Sequence, residues 1–176
     1  MTLEEFLDWE EQQEGRYEFA DGVITAMAGS TDAHDDVRGA IVAILRSKLA
    51  GKPCRARLDL KLVCPNGRSR YPDVAVVCGP RDPSATRLTN PVVLVEVLSP
   101  STMAVDYSVK TLDYASVPSV QVYLLASQSE PRIDVMRRVD GRFEPVALAD
   151  GLDAMVDLPE IGVELALADL YALTES

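Results

Sequence analysis

The most constraining feature of this sequence is an apolar stretch, residues 92–98, that carries one acid, Glu96, in its interior. A short, continuous run of β-branched and aliphatic residues predicts a strand that is buried on both faces of a sheet. A carboxylate inside such a strand is costly unless a partner or a metal ion compensates its charge. The stretch ends at Ser99-Pro100, and either Ser99 or Ser101 can cap the helix that follows.

A second acid, Asp73, lies in another apolar stretch, 71–78. The helix predicted over 101–116 carries Asp106 and Lys110, which are four residues apart and therefore lie on one face. An acid followed by a base at this spacing is also an ordinary helix ion pair, worth only ~0.2–0.5 kcal/mol. Two interpretations of Lys110 stay open: an ion pair with Asp106, or a place beside the two embedded acids.

If the strands of Asp73 and Glu96 are neighbours, their carboxylates can converge at one edge of the sheet and chelate a divalent cation. Mg²⁺ is suited to one or two carboxylates together with waters and a substrate phosphate. Such a cation offsets charge on a phosphate during hydrolysis, and a nearby lysine can contact the phosphate and orient or deprotonate the water. The alternatives are that Glu96 neutralises a buried arginine or meets hydroxyls, and that Asp73 merely ends a strand at Pro72.

Length and composition indicate one globular domain over 1–176, because 47% of the residues are hydrophobic and 26% are charged. No apolar stretch approaches the ~20 residues of a membrane helix. The acidic N-terminal sequence lacks the basic region and apolar core of a signal peptide. These features predict a cytoplasmic protein without membrane association.

Cysteine and histidine are scarce. The odd number of cysteines (Cys54, Cys64 and Cys78) without an export signal predicts reduced thiols. The single histidine, His34, nearly excludes zinc sites rich in His or Cys, so any metal ion should be a hard cation held by carboxylates. His34 falls in the first turn of a helix predicted over 31–50, where we expect a surface or capping role rather than a catalytic one.

The net charge of −11 argues against a broad nucleic-acid surface, since such affinity comes largely from Lys and Arg that neutralise phosphates. A local basic cluster is nevertheless present, formed by Arg55, Arg57, Lys61, Arg68 and Arg70 and followed by Arg81 and Arg87. A solvated hairpin with charged edges is the favoured interpretation, and a nucleic-acid contact is the other.

The remaining patterns predict a mixed α+β domain. A helix over 2–13 begins with a capping box at Thr2, and Asp21-Gly22 joins two strands in a hairpin. The spacing within 92–125 fits a right-handed, parallel strand–helix–strand crossover. Strands are expected over 54–63, 71–78, 92–98, 120–125, 133–138 and 142–148, with short pieces near 154–157 and 161–165 and a terminal helical turn over 165–173.

Three segments carry a resemblance to a known family: RYEFADGVI (16–24), YPDVAVV (71–77) and PVVLVEVLSPST (91–102), the last followed by Asp106, Lys110 and Tyr114. Together they resemble the Uma-two family, a bacterial family with a restriction-endonuclease-like fold that is related to the PD-(D/E)xK nucleases. The resemblance covers almost the whole chain. It implies an α+β fold with a mixed β-sheet core and flanking helices, and a metal-dependent endonuclease that hydrolyses DNA.

The resemblance also implies that Asp73 and Glu96 bind the metal ion, Mg²⁺ or Mn²⁺. The parent motif has a lysine two residues after the glutamate, but that position is Leu98 here, and we predict Lys110 as the substitute. Glu18 is predicted as an additional acidic member of the site. DNA is the expected partner, and a homodimer is compatible with the family. The alternative is a catalytically inactive nuclease-fold module for binding or assembly, which Leu98 and the acidic charge favour.

Overall fold

The structure is a computed structural model that describes residues 1–27 and 29–172. Its helical segments are α1 (Leu3–Glu10), α2 (Asp32–Lys48), α3 (Met103–Val105), a π-helical turn (Asp106–Lys110), α4 (Thr111–Ala115) and α5 (Leu167–Leu170). Its strands are β1 (Tyr17–Ala20), β2 (Val23–Ala26), β3 (Cys54–Arg57), β4 (Leu62–Cys64), β5 (Arg68–Arg70), β6 (Val74–Cys78), β7 (Pro91–Leu98), β8 (Val122–Ser127), β9 (Arg132–Val139), β10 (Arg142–Asp150), β11 (Met155–Leu158) and β12 (Val163–Ala166).

A six-stranded mixed sheet in the order β10-β9-β8-β7-β6-β3 forms the centre of the described chain. β7 and β8 run parallel, whereas the other neighbours in this sheet are antiparallel. A second sheet has the order β2-β1-β5-β4, and β11 pairs with β12. The predicted α+β class, a mixed sheet with flanking helices, is confirmed.

Both faces of β7 are buried, as its apolar sequence predicted. Val93 and Val95 belong to a core cluster that includes the buried stripe of α2, whereas Leu94 and Leu98 belong to a second cluster. Glu96 lies on the face of Leu94 and Leu98, because side chains alternate along a strand. The acid therefore points away from α2.

The N-terminal predictions are confirmed. At the start of α1, Thr2 Oγ1 accepts a hydrogen bond from Glu5 N, and the Glu5 carboxylate accepts one from Thr2 N at 2.7 Å. β1 and β2 form a hairpin across Asp21 and Gly22, whose φ angles of 52° and 82° are the positive values this turn requires.

The single strand predicted over 54–63 is wrong. β3 ends at Arg57, the chain turns at Asp59 (φ 58°), and β4 begins at Leu62 in the other sheet. Apolar and charged residues alternate without interruption through this turn. The alternation of apolar and charged residues therefore could not reveal that the chain passes from one sheet to the other.

The acid expected inside the strand 71–78 lies just before it, because β6 begins only at Val74. Pro72 has no backbone N–H to contribute to a sheet, which explains the late start. Asp73 is consequently at the N-terminal end of β6, with 14% of its side chain exposed.

The parallel pairing of β7 with β8 confirms the predicted crossover connection. The helix between them is continuous from α3 to α4 and is called the crossover helix below. Its central turn is π-helical, with Asp106 at the first position and Lys110 at the last. The helix begins after Thr102, so the cap predicted at Ser99 or Ser101 is wrong, and the Thr102 side chain makes no capping hydrogen bond either.

The prediction of reduced cysteines is wrong for two of the three. Cys54 and Cys78 form a disulfide, because the antiparallel register of β3 and β6 places them directly opposite each other. Spacing alone could not show this pairing, since register between strands is a tertiary property. Cys64 is free and buried, and burial raises the pKa of its thiol to about 12. A thiol that stays protonated at neutral pH is a poor nucleophile.

The trailing strands are close to the prediction. β9 and β10 form a hairpin across Asp140 and Gly141, both with positive φ, and β11 pairs with β12. The predicted terminal turn corresponds to α5, while Leu173 lies outside the described residues. Within 1–27 and 29–172, we find no helix with the length and apolar character needed to span a membrane.

Candidate active site

A cavity of about 700 Å³ opens where the β1–β2 hairpin, the start of α2, the region around β6 and β7, and the crossover helix meet. Its wall contains the four residues that the sequence predicted for the site, namely Glu18, Asp73, Glu96 and Lys110. Residues that are far apart in the chain thus share one cavity.

Glu96 is almost fully buried, with 3% of the residue exposed. Lys110 Nζ donates to Glu96 Oε1 at 3.0 Å, and the Tyr114 hydroxyl donates to the same oxygen at 2.5 Å. Burial raises the pKa of Glu96 well above its usual range; Lys110 opposes this rise, and the negative charges of Asp73 and Asp106 add to it. A further cation beside this carboxylate would therefore stabilise its charged form.

Lys110 lies among three carboxylates. Its Nζ is 3.0 Å from Glu96 Oε1, 3.0 Å from Asp106 Oδ1 and 3.9 Å from Glu18 Oε1. Burial alone would lower the pKa of Lys110, but the three acids outweigh it and raise the pKa, so the side chain stays an ammonium at neutral pH. Both interpretations left open by the sequence therefore hold together: Lys110 pairs with Asp106 and also reaches Glu96.

Asp73 joins the cavity from the start of β6. Its Oδ2 accepts a hydrogen bond from Val97 N at 2.7 Å and lies 3.2 Å from His34 Nε2. Burial would raise the pKa of Asp73, but the hydrogen bond and charge of His34, helped by Val97 N and Lys110, hold it below its usual range. Among the described residues, neither Asp73 nor Glu96 forms an ion pair with an arginine.

Glu18 is positioned mainly by the strand next to it. Arg70 Nη1 donates to Glu18 Oε2 at 2.8 Å, and Tyr71 N donates to Oε1 at 3.2 Å. Arg70 also pairs with the fully buried Asp113, because its Nε donates to the Asp113 carboxylate at 2.8 Å. The structure thus places Glu18 at the edge of the site, farther from Lys110 than the other two acids are.

His34 is the site residue that sequence reasoning missed, since it was assigned to a surface or a cap. Only 14% of its side chain is exposed, and its Nε2 faces Asp73. Nδ1 is buried without a hydrogen-bond partner in the described chain, and lies 3.9 Å from Asp35 Oδ1. A signal was present in the helical period: His34 precedes the buried Val37 and Ile41 by three and seven residues, so it shares their face.

We expect the substitution His34→Gln to lower the free energy of unfolding more at pH 6 than at pH 9. The hydrogen bond to Asp73 raises the pKa of His34 above 6.5, so its contribution is fully present below that value and is lost as pH rises through the folded pKa. The loss at pH 6 should be ~1.5–3 kcal/mol, as for a hydrogen bond to a charged group. Urea unfolding at both pH values measures it, and equal losses would contradict a charged imidazole.

Acids outnumber cations in the lining of the cavity, where Glu18, Asp59, Asp73, Glu96 and Asp106 lie together with Arg16, Arg38, Lys110 and His34. A hard divalent cation would offset this surplus beside Asp73 and Glu96. Among the described residues, no three His, Cys, Asp or Glu side chains are arranged as a complete metal site. Two carboxylates, with the remaining positions left to water and phosphate, are the kind of ligand set that suits Mg²⁺. The residues present therefore fit this ion.

The sheet topology defines an α+β protein with a central mixed sheet flanked by helices, and the cavity gives this protein a candidate site lined by acids. The same fold occurs in a solved protein from Anabaena variabilis, described as "a putative nuclease belonging to DUF820". The TM-score is 0.81, the sequence identity is 23%, and the match covers 99% of each chain. At this identity the likeness establishes the shared fold.

The chain belongs to the Uma2 family, described as "Putative restriction endonuclease", whose model matches residues 3–168. The resemblance to the Uma-two family is thereby confirmed. Two relatives come from Synechocystis sp. "Uncharacterized protein slr1290" is 36% identical over 174 residues, covering 97% of this chain and 91% of the relative. "Uncharacterized protein sll1609" is 31% identical over 147 residues, covering 81% and 83%.

Proposed function

We propose that this protein is a metal-dependent endonuclease that hydrolyses phosphodiester bonds in DNA. The observation that carries the proposal is the 3.0 Å contact between Lys110 Nζ and Glu96 Oε1 inside an acidic cavity that Asp73 also lines. The lysine comes from the crossover helix rather than from the strand of Glu96, yet its ammonium reaches the carboxylate. The descriptions of the family and of the solved Anabaena protein point to the same class of reaction.

Asp73 and Glu96 are the proposed ligands of Mg²⁺ or Mn²⁺. When bound, such an ion offsets charge on the phosphate and makes a water molecule easier to deprotonate. The raised pKa of Glu96 supports this assignment, since burial and two neighbouring acids disfavour its charged form until a cation is added. Glu18 is proposed as an acid at the edge of the site that helps to orient Lys110.

Lys110 is proposed as a charged hydrogen-bond donor to the phosphate and not as the base. Its raised pKa keeps the proton on Nζ, and an ammonium group has donors but no lone pair to accept a proton. Of the two roles the sequence allowed, orienting the reactants therefore fits this environment, and deprotonating water does not.

A catalytically inactive module for binding or assembly is the second candidate. The observation that favours it is Leu98, which is buried where the parent motif has its lysine. A cytoplasmic location, a preference for DNA over RNA and a homodimer remain predictions.

The proposal is tested by incubating plasmid and linear duplex DNA with the purified protein in Mg²⁺, Mn²⁺ or EDTA. We expect cleavage with either ion, none in EDTA, and a rate at least ~10²-fold lower for Asp73→Asn, which loses one charge of the ligand pair. Asp157→Asn, on the exposed side of β11, is the matched control and should cleave normally. Undiminished cleavage by Asp73→Asn would contradict the assignment. A folded wild-type protein that neither cleaves nor binds Mn²⁺ in calorimetry would support the inactive module.

A further inference from the structure

The basic residues between 55 and 87 separate into two sets in the structure. Those with carboxylate partners are Lys61 (with Glu10), Arg68 (with Asp21 and Asp113), Arg70 (with Glu18 and Asp113) and Arg87 (with Glu11). Arg55, Arg57 and Arg81 have no such partner, and Arg46 of α2 is added to them because its charge acts on Arg57. We call these four residues the arginine strip.

The arginine strip has no acidic partner in the part of the chain that the structure describes. Arg55, on β3, donates from Nη2 to the carbonyls of Gly79 and Pro80 at 2.8 and 3.1 Å. These hydrogen bonds hold the loop after β6 against β3. Arg57 donates only to a backbone carbonyl, that of Ala56 at 3.2 Å. Both contacts leave the positive charge uncompensated.

One acid, Asp82, shares a small cavity with Arg55 and Arg57. Its Oδ1 instead accepts hydrogen bonds from Ser84 N at 2.9 Å and from Ser84 Oγ at 2.6 Å. The Asp82 carboxylate is therefore engaged within its own turn and does not pair with either arginine.

Arg55 and Arg57 lie on the same strand and line the same small cavity, and the other three members of the strip all act on the charge of Arg57. Burial lowers the pKa of Arg57, and the charges of Arg55, Arg81 and Arg46 lower it further. These residues come from three places: the last turn of α2, the edge strand β3 and the loop after β6. A chain with a net charge of −11 thus holds four like cations together without compensation, which indicates an anionic partner.

The arginine strip and the candidate active site are linked by α2, which contributes a residue to each of them. Arg38, on α2, lines the site cavity and is compensated by Asp35 and Asp59. Arg46 follows Arg38 by eight residues, or about 12 Å along the helix axis. That distance corresponds to about three to four base steps at 3.4 Å each.

We infer that the arginine strip binds the phosphate backbone of the nucleic acid whose cleavage was proposed above, a few nucleotides from the scissile bond. The inference rests on that proposed function for the identity of the polymer. A polymer fits better than a single phosphate, because the cations are spread over three elements rather than converging on one point. Contacts of this kind position a strand without reading its sequence.

The test measures binding of a fluorescently labelled DNA duplex to the full chain by anisotropy in EDTA, at salt concentrations from about 50 to 300 mM. The double variant Arg46→Ala/Arg81→Ala removes two exposed side chains and should leave the fold intact. We expect the slope of log affinity against log salt to become shallower by about 1 for each arginine that contacts a phosphate. We also expect affinity at ~0.1 M salt to fall by about tenfold for the double variant. Arg57→Gln should act in the same direction.

Arg142→Ala is the matched control, because Arg142 is exposed and unpaired in the described chain but lies on β10, at the opposite edge of the sheet. It should bind DNA like the wild type. Wild-type affinity and slope in the strip variants would overturn the inference even if the enzyme cleaves DNA. Tighter binding of polyglutamate than of DNA would overturn it as well, since the partner would then be an acidic protein. Strip-dependent DNA binding without any cleavage would sustain the inference and reject only the nuclease.

Discussion

The substitution Glu96→Gln is expected to reduce metal-dependent DNA cleavage by ~10³-fold or more while the protein stays folded. The amide has nearly the shape of the carboxylate but lacks the charge that would hold a divalent cation beside Asp73. Removal of a single electrostatic contact to a reacting group commonly costs ~10²–10³-fold, and here the metal ion itself would be lost. Lys110 keeps two of its three acids, Asp106 and Glu18, so its charge remains compensated.

The same variant has a stability signature that does not depend on activity. Because the pKa of Glu96 is raised in the folded protein, this residue favours the fold at low pH and loses that contribution as pH rises through its folded pKa. In EDTA, the stability of Glu96→Gln relative to wild type should therefore increase from pH 5 to pH 8. Thermal unfolding measures this difference, with the exposed Glu164→Gln as control. A difference that is independent of pH, or cleavage that survives in Glu96→Gln, would contradict the assigned role.

The substitution Lys110→Met is expected to have the largest effect on stability, a loss of ~3–5 kcal/mol at pH 7. Removing one partner of a buried ion pair leaves uncompensated charge in the interior, and Lys110 compensates Glu96 and Asp106 in the interior. The loss should become smaller toward pH 4, because Lys110 lowers the pKa of Glu96, and without this ammonium Glu96 takes up a proton more readily in the folded protein. Lys48→Met, on the exposed last turn of α2, should change stability by less than ~0.5 kcal/mol.

A divalent cation should partly restore the Lys110→Met variant. Positive charge beside Glu96 would replace part of what the ammonium supplied, so Mn²⁺ should raise the midpoint of thermal unfolding more in this variant than in wild type. An equal shift in both proteins would argue against a cation site next to Glu96. Adding Asp73→Asn to the variant should abolish the extra shift, since that substitution removes the charge of the other proposed ligand.

The sequence alone determined the elements whose causes are local. The capping box at Thr2 and the Asp21-Gly22 turn need only neighbouring residues, and both are present where the pattern predicted them. The unbroken apolar run 92–98 indicated a strand buried on both faces because no single face can account for it, and β7 is such a strand. The unusual position of Glu96 was visible for the same reason: a charge inside such a run demands a partner.

Only the tertiary structure decided which partners those residues meet. Periodicity tells which face a side chain occupies, but the register between strands and the packing of helices on the sheet are set by contacts distant in sequence. The disulfide between Cys54 and Cys78, the approach of His34 to Asp73 and the division of the arginines into paired and unpaired sets all depend on such packing. The meeting of Lys110 with Glu96 depends on it too, because a π-helical turn in the crossover places the ammonium over the strand.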